Sequence, residues 1–358
     1  MRSVYRNSAN LMDSRDAPAR APAPPLVTVT EILDPALASE GIEVIDLNAV
    51  QLQTTPMRAR RVVVDLDGVV VVSHSTDLRV RTSARLRSDV LGLMTYGPRA
   101  RGKVNGLEVR AGLILAAGPQ AEVDVVTDRD WETLSFLLPL EEARTHLAVR
   151  GRAAELPATG GVEMLQLDPE RARRLYEWGA RLLDTARQRP ELLAPGSAGR
   201  SAARVELIEQ VLAALGAAGP LETTSGDRTR QAYGRIVRAA EEYALSRPDE
   251  AIYVSDLCRV SGARERTLEH AFKTQLGITP VSYLIRLRLH RVREDLLAAP
   301  PRSCTVTTIA LRWGFWHLGG FSRAYKDCFA ERPSETLRRA QRTRAAATRP
   351  QVPEQRRR

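Results

Sequence analysis

Val254-Ser-Asp-Leu-Cys-Arg-Val-Ser-Gly262 returns further along the chain as Val306-Thr-Thr-Ile-Ala-Leu-Arg-Trp-Gly314, at an offset of 52 residues. Val254 meets Val306, Leu257 meets Ile309, Cys258 meets Ala310 and Gly262 meets Gly314. Past the glycine the offset becomes 53, and Leu268, Ala271, Phe272, Lys273, Leu276 and Pro280 meet Phe321, Ala324, Tyr325, Lys326, Phe329 and Pro333. Each copy is a short apolar-periodic helix, a glycine suited to a left-handed turn, a few polar residues and a longer helix. That order predicts two helix-turn-helix units, at about 254–276 and 306–329. The small residue at Cys258 and Ala310 lets the paired helices cross closely.

Between the copies, Thr279-Pro280 opens and Pro300-Pro301 closes a helix of about 19 residues. At roughly 1.5 Å per residue it spans nearly 30 Å. Such a rod holds two second helices about one DNA turn, roughly 34 Å, apart. A helical solenoid is the competing reading, but that architecture needs three or more repeats.

Charge points the same way. Residues 228–358 carry 26 Lys+Arg against 13 Asp+Glu, and residues 1–227 carry 27 against 30. The net charge of +10 therefore sits with the repeat, as a polyanion-binding region would have it. Part of the excess is the tail ending Gln355-Arg356-Arg357-Arg358.

Working outward, residues 1–25 are rich in Ala, Pro and Arg and read as disordered, and so does the basic stretch 341–358. Residues 26–165 form a β-rich domain. Its apolar runs, Arg61–Val72, Leu86–Met94, Leu107–Leu115, Ala121–Val126 and Leu134–Leu138, are separated by turn residues. They suggest a small sandwich or barrel. Helices fill 166–217: Asp168-Pro169 caps the first, with Leu175, Trp178, Leu182 and Leu183 on one face, and Val205, Ile208, Val211, Leu212 and Leu215 line the second. The stripes Leu175, Leu182, Ile208 and Leu215 serve either a homodimer or packing on the β-rich domain. Residues 218–229 read as a linker and 230–340 as a helical domain. The fold class is multidomain α+β.

The repeated unit resembles the DNA-binding domain of the AraC/XylS family of transcription regulators. The resemblance is carried by Leu257-Cys-Arg-Val-Ser-Gly-Ala-Arg-Glu-Arg-Thr-Leu268 with Ala271-Phe272-Lys273, and by Gly277-Ile-Thr-Pro280 with Tyr283 to Arg293. Ile309-Ala310, Trp313-Gly314-Phe315, Phe321 to Lys326, Phe329 and Arg332-Pro-Ser334 continue it. It spans about 105 residues, some 30% of the chain. It implies a cupin-like or barrel-like N-terminal sensing domain and sequence-specific binding of promoter DNA. It also implies activation more often than repression, with RNA polymerase as partner and a small-molecule effector of unspecified identity.

By the same resemblance, Arg266, Thr267, Glu269 and His270 read bases, since Arg pairs with guanine and Glu accepts from cytosine. Arg264 and Lys273 hold phosphates. In the second unit, Trp316-His-Leu-Gly-Gly320 reads as a turn with glycines where polar readers would stand. His317, Gly319, Ser322, Arg323 and Lys326 are left as mainly backbone contacts, with Trp316 packed. The first unit should then set specificity and the second add affinity. Thr305 caps the second unit's first helix; its counterpart Tyr253 does not, and Arg264 opens the first recognition helix without a capping oxygen, which predicts a less stable first unit.

Rival readings are weak. Asp65-Leu-Asp67-Gly68 resembles a phosphatase nucleophile motif, but only Lys103 lies near it and no acidic pair follows a later strand. Such residues more simply end a strand at a turn. His74 and His146 are too far apart in sequence to suggest a metal cluster, and His74 reads as a surface or loop residue. Three cysteines, Cys258, Cys304 and Cys328, give neither a disulfide framework nor metal spacing. No run is long and apolar enough for a membrane span, and no secretory signal is visible. The expectation is a cytoplasmic, cofactor-free, metal-free regulator rather than an enzyme, with a non-specific nucleoid-type DNA binder as the alternative.

Overall fold

The computed structural model describes residues 26–35, 38, 42, 44–152, 156, 159–247, 250, 252–300 and 304–347, with side chains to residue 342. The stretch 1–25 and residues 348–358, both read as disordered, lie outside the described residues.

Strands β1 (Val27–Ile32) and β2 (Ile45–Gln51) precede a hairpin made of β3 (Ala59–Leu66) and β4 (Val69–Thr76). Its turn is Asp67-Gly68, with φ of 56° and 92°. Two positive φ values match the right-handed twist of paired strands, which is why Asp-Gly sits here. The run Arg61–Val72 is therefore two strands. Leu86–Met94 likewise spans the end of β5 (Val80–Leu86), a turn, and β6 (Val90–Tyr96). Then come β7 (Gly102–Val104), β8 (Leu107–Glu108), β9 (Leu113–Ala117), β10 (Glu122–Thr127), β11 (Trp131–Pro139), β12 (Val162–Gln166) and β13 (Gly219–Pro220). Helix α1 (Leu140–Val149) follows β11 directly and is absent from the sequence reading.

The strands make two antiparallel sheets. One has eight strands in the order β1-β3-β4-β11-β6-β9-β12-β13, the other five in the order β2-β5-β10-β7-β8. Both are open, and among the described residues neither closes into a barrel. On β11, Leu134, Phe136 and Leu138 face helices α2 (Pro169–Gln188) and α3 (Ala198–Ala217), while Leu137 faces the second sheet. Both faces of the large sheet are thus covered, so its strands read as continuous apolar runs rather than alternating ones. Each such buried side chain contributes about 1.5–3 kcal/mol. Gly179 of α2 stands where a Cβ would lie 2.9 Å from Leu134 and Phe136, so glycine there permits the close helix–sheet approach. Leu175, Leu182, Ile208 and Leu215 belong to this core. Of the two readings of those stripes, packing on the sheet is the observed one.

Helix α4 (Ser225–Leu245) begins inside the stretch read as a linker. The reason is a capping box: Thr224 Oγ1 accepts from Asp227 N at 3.1 Å, and Asp227 Oδ2 accepts from Thr224 N at 3.0 Å. Next come α5 (Val254–Ser261), α6 (Glu265–Leu276), α7 (Pro280–Ala298), α8 (Val306–Arg312), α9 (Leu318–Phe329) and α10 (Pro333–Ala347). Helix α10 runs seven residues into the stretch read as a disordered tail. The helices have two cores. Leu257, Leu268, Phe272 and Leu276 gather with α4 and with Tyr283, Leu284 and Leu287 of α7. Ile309, Phe321, Tyr325 and Phe329 gather on Leu289, Val292 and Leu296 of the same helix.

The first of these cores also includes Val50, Leu52 and Val126 from the five-stranded sheet. Four layers result: helices α2 and α3, the large sheet, the small sheet, and the C-terminal helices. Across the last boundary Arg81 of β5 donates to Asp124 at 2.7 Å and to Glu241 of α4 at 2.9 Å, all three buried. Tyr283 donates its hydroxyl to Glu241, and Arg238 reaches Asp124 at 2.6 Å. Burial alone would lower the Arg81 pKa, but the Glu241 and Asp124 charges hold it raised.

Candidate nucleic-acid interface

Helix α5 ends at Gly262, whose φ of 65° is the left-handed turn that starts the link to α6. Gly314 does the same after α8, at φ 75°. Beyond Gly262, Leu268, Ala271, Phe272 and Leu276 are buried, and the opposite face of α6 is fixed by helical spacing. Arg264, Arg266, Thr267, Glu269, His270 and Lys273 are all exposed there. Arg266 makes no ion pair among the described residues. Glu269 and Lys273 lie one turn apart with Nζ–Oε2 at 4.0 Å. His270 packs edge-on against Tyr233 of α4, ring centroids 5.3 Å apart, so its ring is held while its edge stays accessible.

In the second unit Phe321, Tyr325, Cys328 and Phe329 are buried, while His317, Gly319, Gly320, Ser322, Arg323 and Lys326 are exposed. The segment read as a turn is shorter than expected. Leu318 opens α9, and both glycines lie in its first turn, where an added Cβ would meet open space. Trp316 is not packed: it is 76% exposed, beside a 38% exposed Leu318. Trp313, not Trp316, is the tethered indole, donating to Asp295 of α7 at 2.9 Å. Sequence reasoning missed this division of labour. Trp313 falls on the helix face toward α7, whereas Trp316 follows the helix and has no periodicity to place it.

Capping differs between the units. Thr305 Oγ1 accepts from Thr308 N at 3.1 Å. Tyr253 gives no side-chain cap, but Asp256 accepts from its backbone N at 3.1 Å and pairs with Arg259 at 3.0 Å. That backbone bond, then Arg259, holds the Asp256 carboxyl below its usual range. The start of α5 is thus closed from inside the helix. Arg264 supplies no cap to α6.

The rival sites have structural explanations. Asp65 accepts from Gly68 N at 2.7 Å, and Asp67 pairs with Arg200 at 2.8 Å, so the Asp-Leu-Asp-Gly motif builds a hairpin. His74 is on strand β4, half-buried, not in a loop. Burial and then Arg61 lower its pKa to about 4. Cys328 is buried, which raises its thiol to about 11. Among the described residues no group of His, Cys, Asp and Glu is placed to hold a metal ion, and no helix is long and apolar enough to cross a membrane.

A family model described as a helix-turn-helix domain matches residues 257–339. The probable thc operon regulatory protein of Rhodococcus erythropolis is 42% identical over 103 residues, 29% of this chain and 31% of that protein. The chain thus spans about a third of that relative's length. XylDLEGF operon transcriptional activator 2 of Pseudomonas putida is 31% identical over 124 residues, 33% of this chain and 76% of that protein. Among solved structures, a probable AraC family transcriptional regulator from Rhodopseudomonas palustris is 38% identical, covering 30% of this chain and 97% of that one, with a TM-score of 0.28.

Proposed function

The chain belongs to the AraC/XylS family of regulators, and from that premise we propose that it binds promoter DNA sequence-specifically and activates transcription, rather than catalysing a reaction. The observation that carries this is the doubled unit. Two second helices, α6 and α9, each bury one face in a core that α7 shares and leave the other exposed, with Arg266 and Lys273 on α6 and Arg323 and Lys326 on α9. In this reading Arg266, Thr267, Glu269 and His270 meet base edges, and Arg264 and Lys273 meet phosphates. His317, Ser322, Arg323 and Lys326 hold the backbone, and Gly319 with Gly320 lets it approach closely. A sequence-indifferent nucleoid-type binder is the alternative, and the exposed Glu269 on α6 disfavours it, because a purely phosphate-binding face gains nothing from a carboxylate.

The three-layered N-terminal half, residues 26–165 with the helices of 166–217, takes the sensing role. It is the seat of a small-molecule effector, and the outer faces of α2 and α3 are the surface left for a homodimer. RNA polymerase is the partner in activation, and the cytoplasm the compartment. The barrel-like description of the family is replaced here by two open sheets.

Selection of binding sites from random duplexes with the full chain tests the reading. An enriched motif is expected. Arg266→Ala should lose about 1–3 kcal/mol at one base position and relax preference there, whereas Arg323→Ala should weaken all sequences alike. Absence of any enriched motif, with binding that collapses as salt rises, would favour the non-specific alternative.

A further inference from the structure

Among the described residues the rod α7 is the helix common to the two helix-turn-helix cores. The first packs on Tyr283, Leu284 and Leu287, the second on Leu289, Val292 and Leu296. Helix α10 packs on the second unit, with Leu337 against its core and Thr336 bonded to the Tyr325 hydroxyl at 2.9 Å, and the N-terminal half adds two attachments of its own. Asp34, just after β1, accepts from Arg293 Nε at 2.8 Å on both oxygens and pairs with its terminal nitrogen at 2.7 Å. Arg293 passes the constraint on. It donates to the Tyr325 hydroxyl of α9 at 3.2 Å, pairs with Glu331 at 2.8 Å and lies 4.4 Å over the Phe329 ring.

Gln51, the last residue of β2, makes the second attachment. Its backbone N–H donates to His290 Nε2 of α7 at 3.0 Å, and its side-chain amide donates to the carbonyl of Cys328, in the last turn of α9, at 3.2 Å. His290 is neutral, as an accepting nitrogen must be. Burial pushes its pKa down to about 3, with Asp34 opposing and the Arg293, Arg286 and Arg291 charges adding to the fall. Asp34, Gln51, His290, Arg293 and Tyr325 are all buried. Buried polar groups are costly unless satisfied, so a shift of α9 on α7 would strand several at once.

We propose that Asp34 and Gln51 are positioning residues for DNA reading. Through them the β-sheet half clamps α9 to α7 and so sets the register between the two reading helices. The proposal rests on the DNA-binding reading above. Its consequence is that the tolerated spacing between the two half-elements of a site is decided in part by residues far from the DNA.

The test uses the full chain and duplexes carrying the selected site with zero to two base pairs added or removed between its halves, read by mobility shift. One base pair moves a half-element along and around the duplex, so the unaltered chain should bind the native spacing at least about tenfold tighter than its neighbours. Asp34→Asn removes the charge, and the milder Gln51→Ala leaves the backbone bond to His290 intact. Both should keep the first half-element's affinity and flatten the spacing preference to about twofold, with Asp34→Glu restoring part of it. Wild-type spacing preference in both variants would overturn the proposal. So would an equal loss of affinity at every spacing, which is what a merely structural role predicts. An unaltered chain that selects no motif overturns the DNA-reading proposal together with this one, and that failure is seen before any variant is made.

Discussion

Ala330 holds φ at 58°, a left-handed conformation that an L side chain adopts only at a cost. It closes α9, its N–H bonded to the carbonyl of Lys326. Its counterpart in the first unit is Gly277, at φ 74°, where no such cost arises. Ala330→Gly should therefore raise stability by about 1 kcal/mol, seen as a higher thermal midpoint. A lowered midpoint would mean that the Ala330 methyl packs against something that offsets its strain. The sequence reading passed over this position, although the offset of 53 sets Ala330 opposite Gly277. Trp316 was not legible: its neighbours Trp313 and Phe315 turn inward, and nothing in the sequence says that the indole between them points out.

At the scale of elements, most of the helical half was readable because each helix carries its own punctuation. Thr279-Pro280, Thr305 and Gly262 announce ends that the structure places within a residue or two. Helix α1 lacked it. Pro139 precedes it without a capping bond, and its apolar positions merge with those of β11. The turn between β5 and β6, Arg87 to Asp89, has neither glycine nor proline, so two strands looked like one. The start of α4 was hidden differently, because Thr224 and Asp227 form a box whose members also look like linker residues. That box has a pH signature. The Thr224 backbone N–H and then Arg230 hold the Asp227 carboxyl well below the usual carboxylate range. A depressed pKa gives stability that is complete above the unfolded value of about 4 and is lost as pH falls below it toward the folded value. Asp227→Ala should cost about 1 kcal/mol at neutral pH, and the gap from the unaltered chain should narrow as pH falls from about 4. A gap of constant size between pH 7 and pH 3 would contradict the assignment.

For the whole molecule, the joint between halves matters most and was least visible. The Arg81–Glu241, Gln51–His290 and Arg293–Asp34 contacts join residues 160, 239 and 259 positions apart. Each member alone looks like an ordinary strand or helix residue. The charge asymmetry separated the chain into two parts without showing that they share a core. Arg81→Met should destabilise the full chain by about 3–5 kcal/mol in urea, because it removes the buried charge shared by Asp124 and Glu241 and leaves Asp124 to Arg238 and Glu241 to the Tyr283 hydroxyl. A loss below about 1 kcal/mol would show that water enters the joint freely.

The separation of Asp34 from Arg293 also has a consequence in time. Synthesis proceeds at roughly 5–20 residues per second, so the acid leaves the ribosome on the order of 10–50 s before its base. For part of that interval, once β10 is made and before α4 and α6 follow, the small sheet has Val50, Leu52 and Val126 uncovered, and Asp34 lacks its arginine to the end of it. The N-terminal half thus waits, wet and partly apolar on one face, for the helices that complete it.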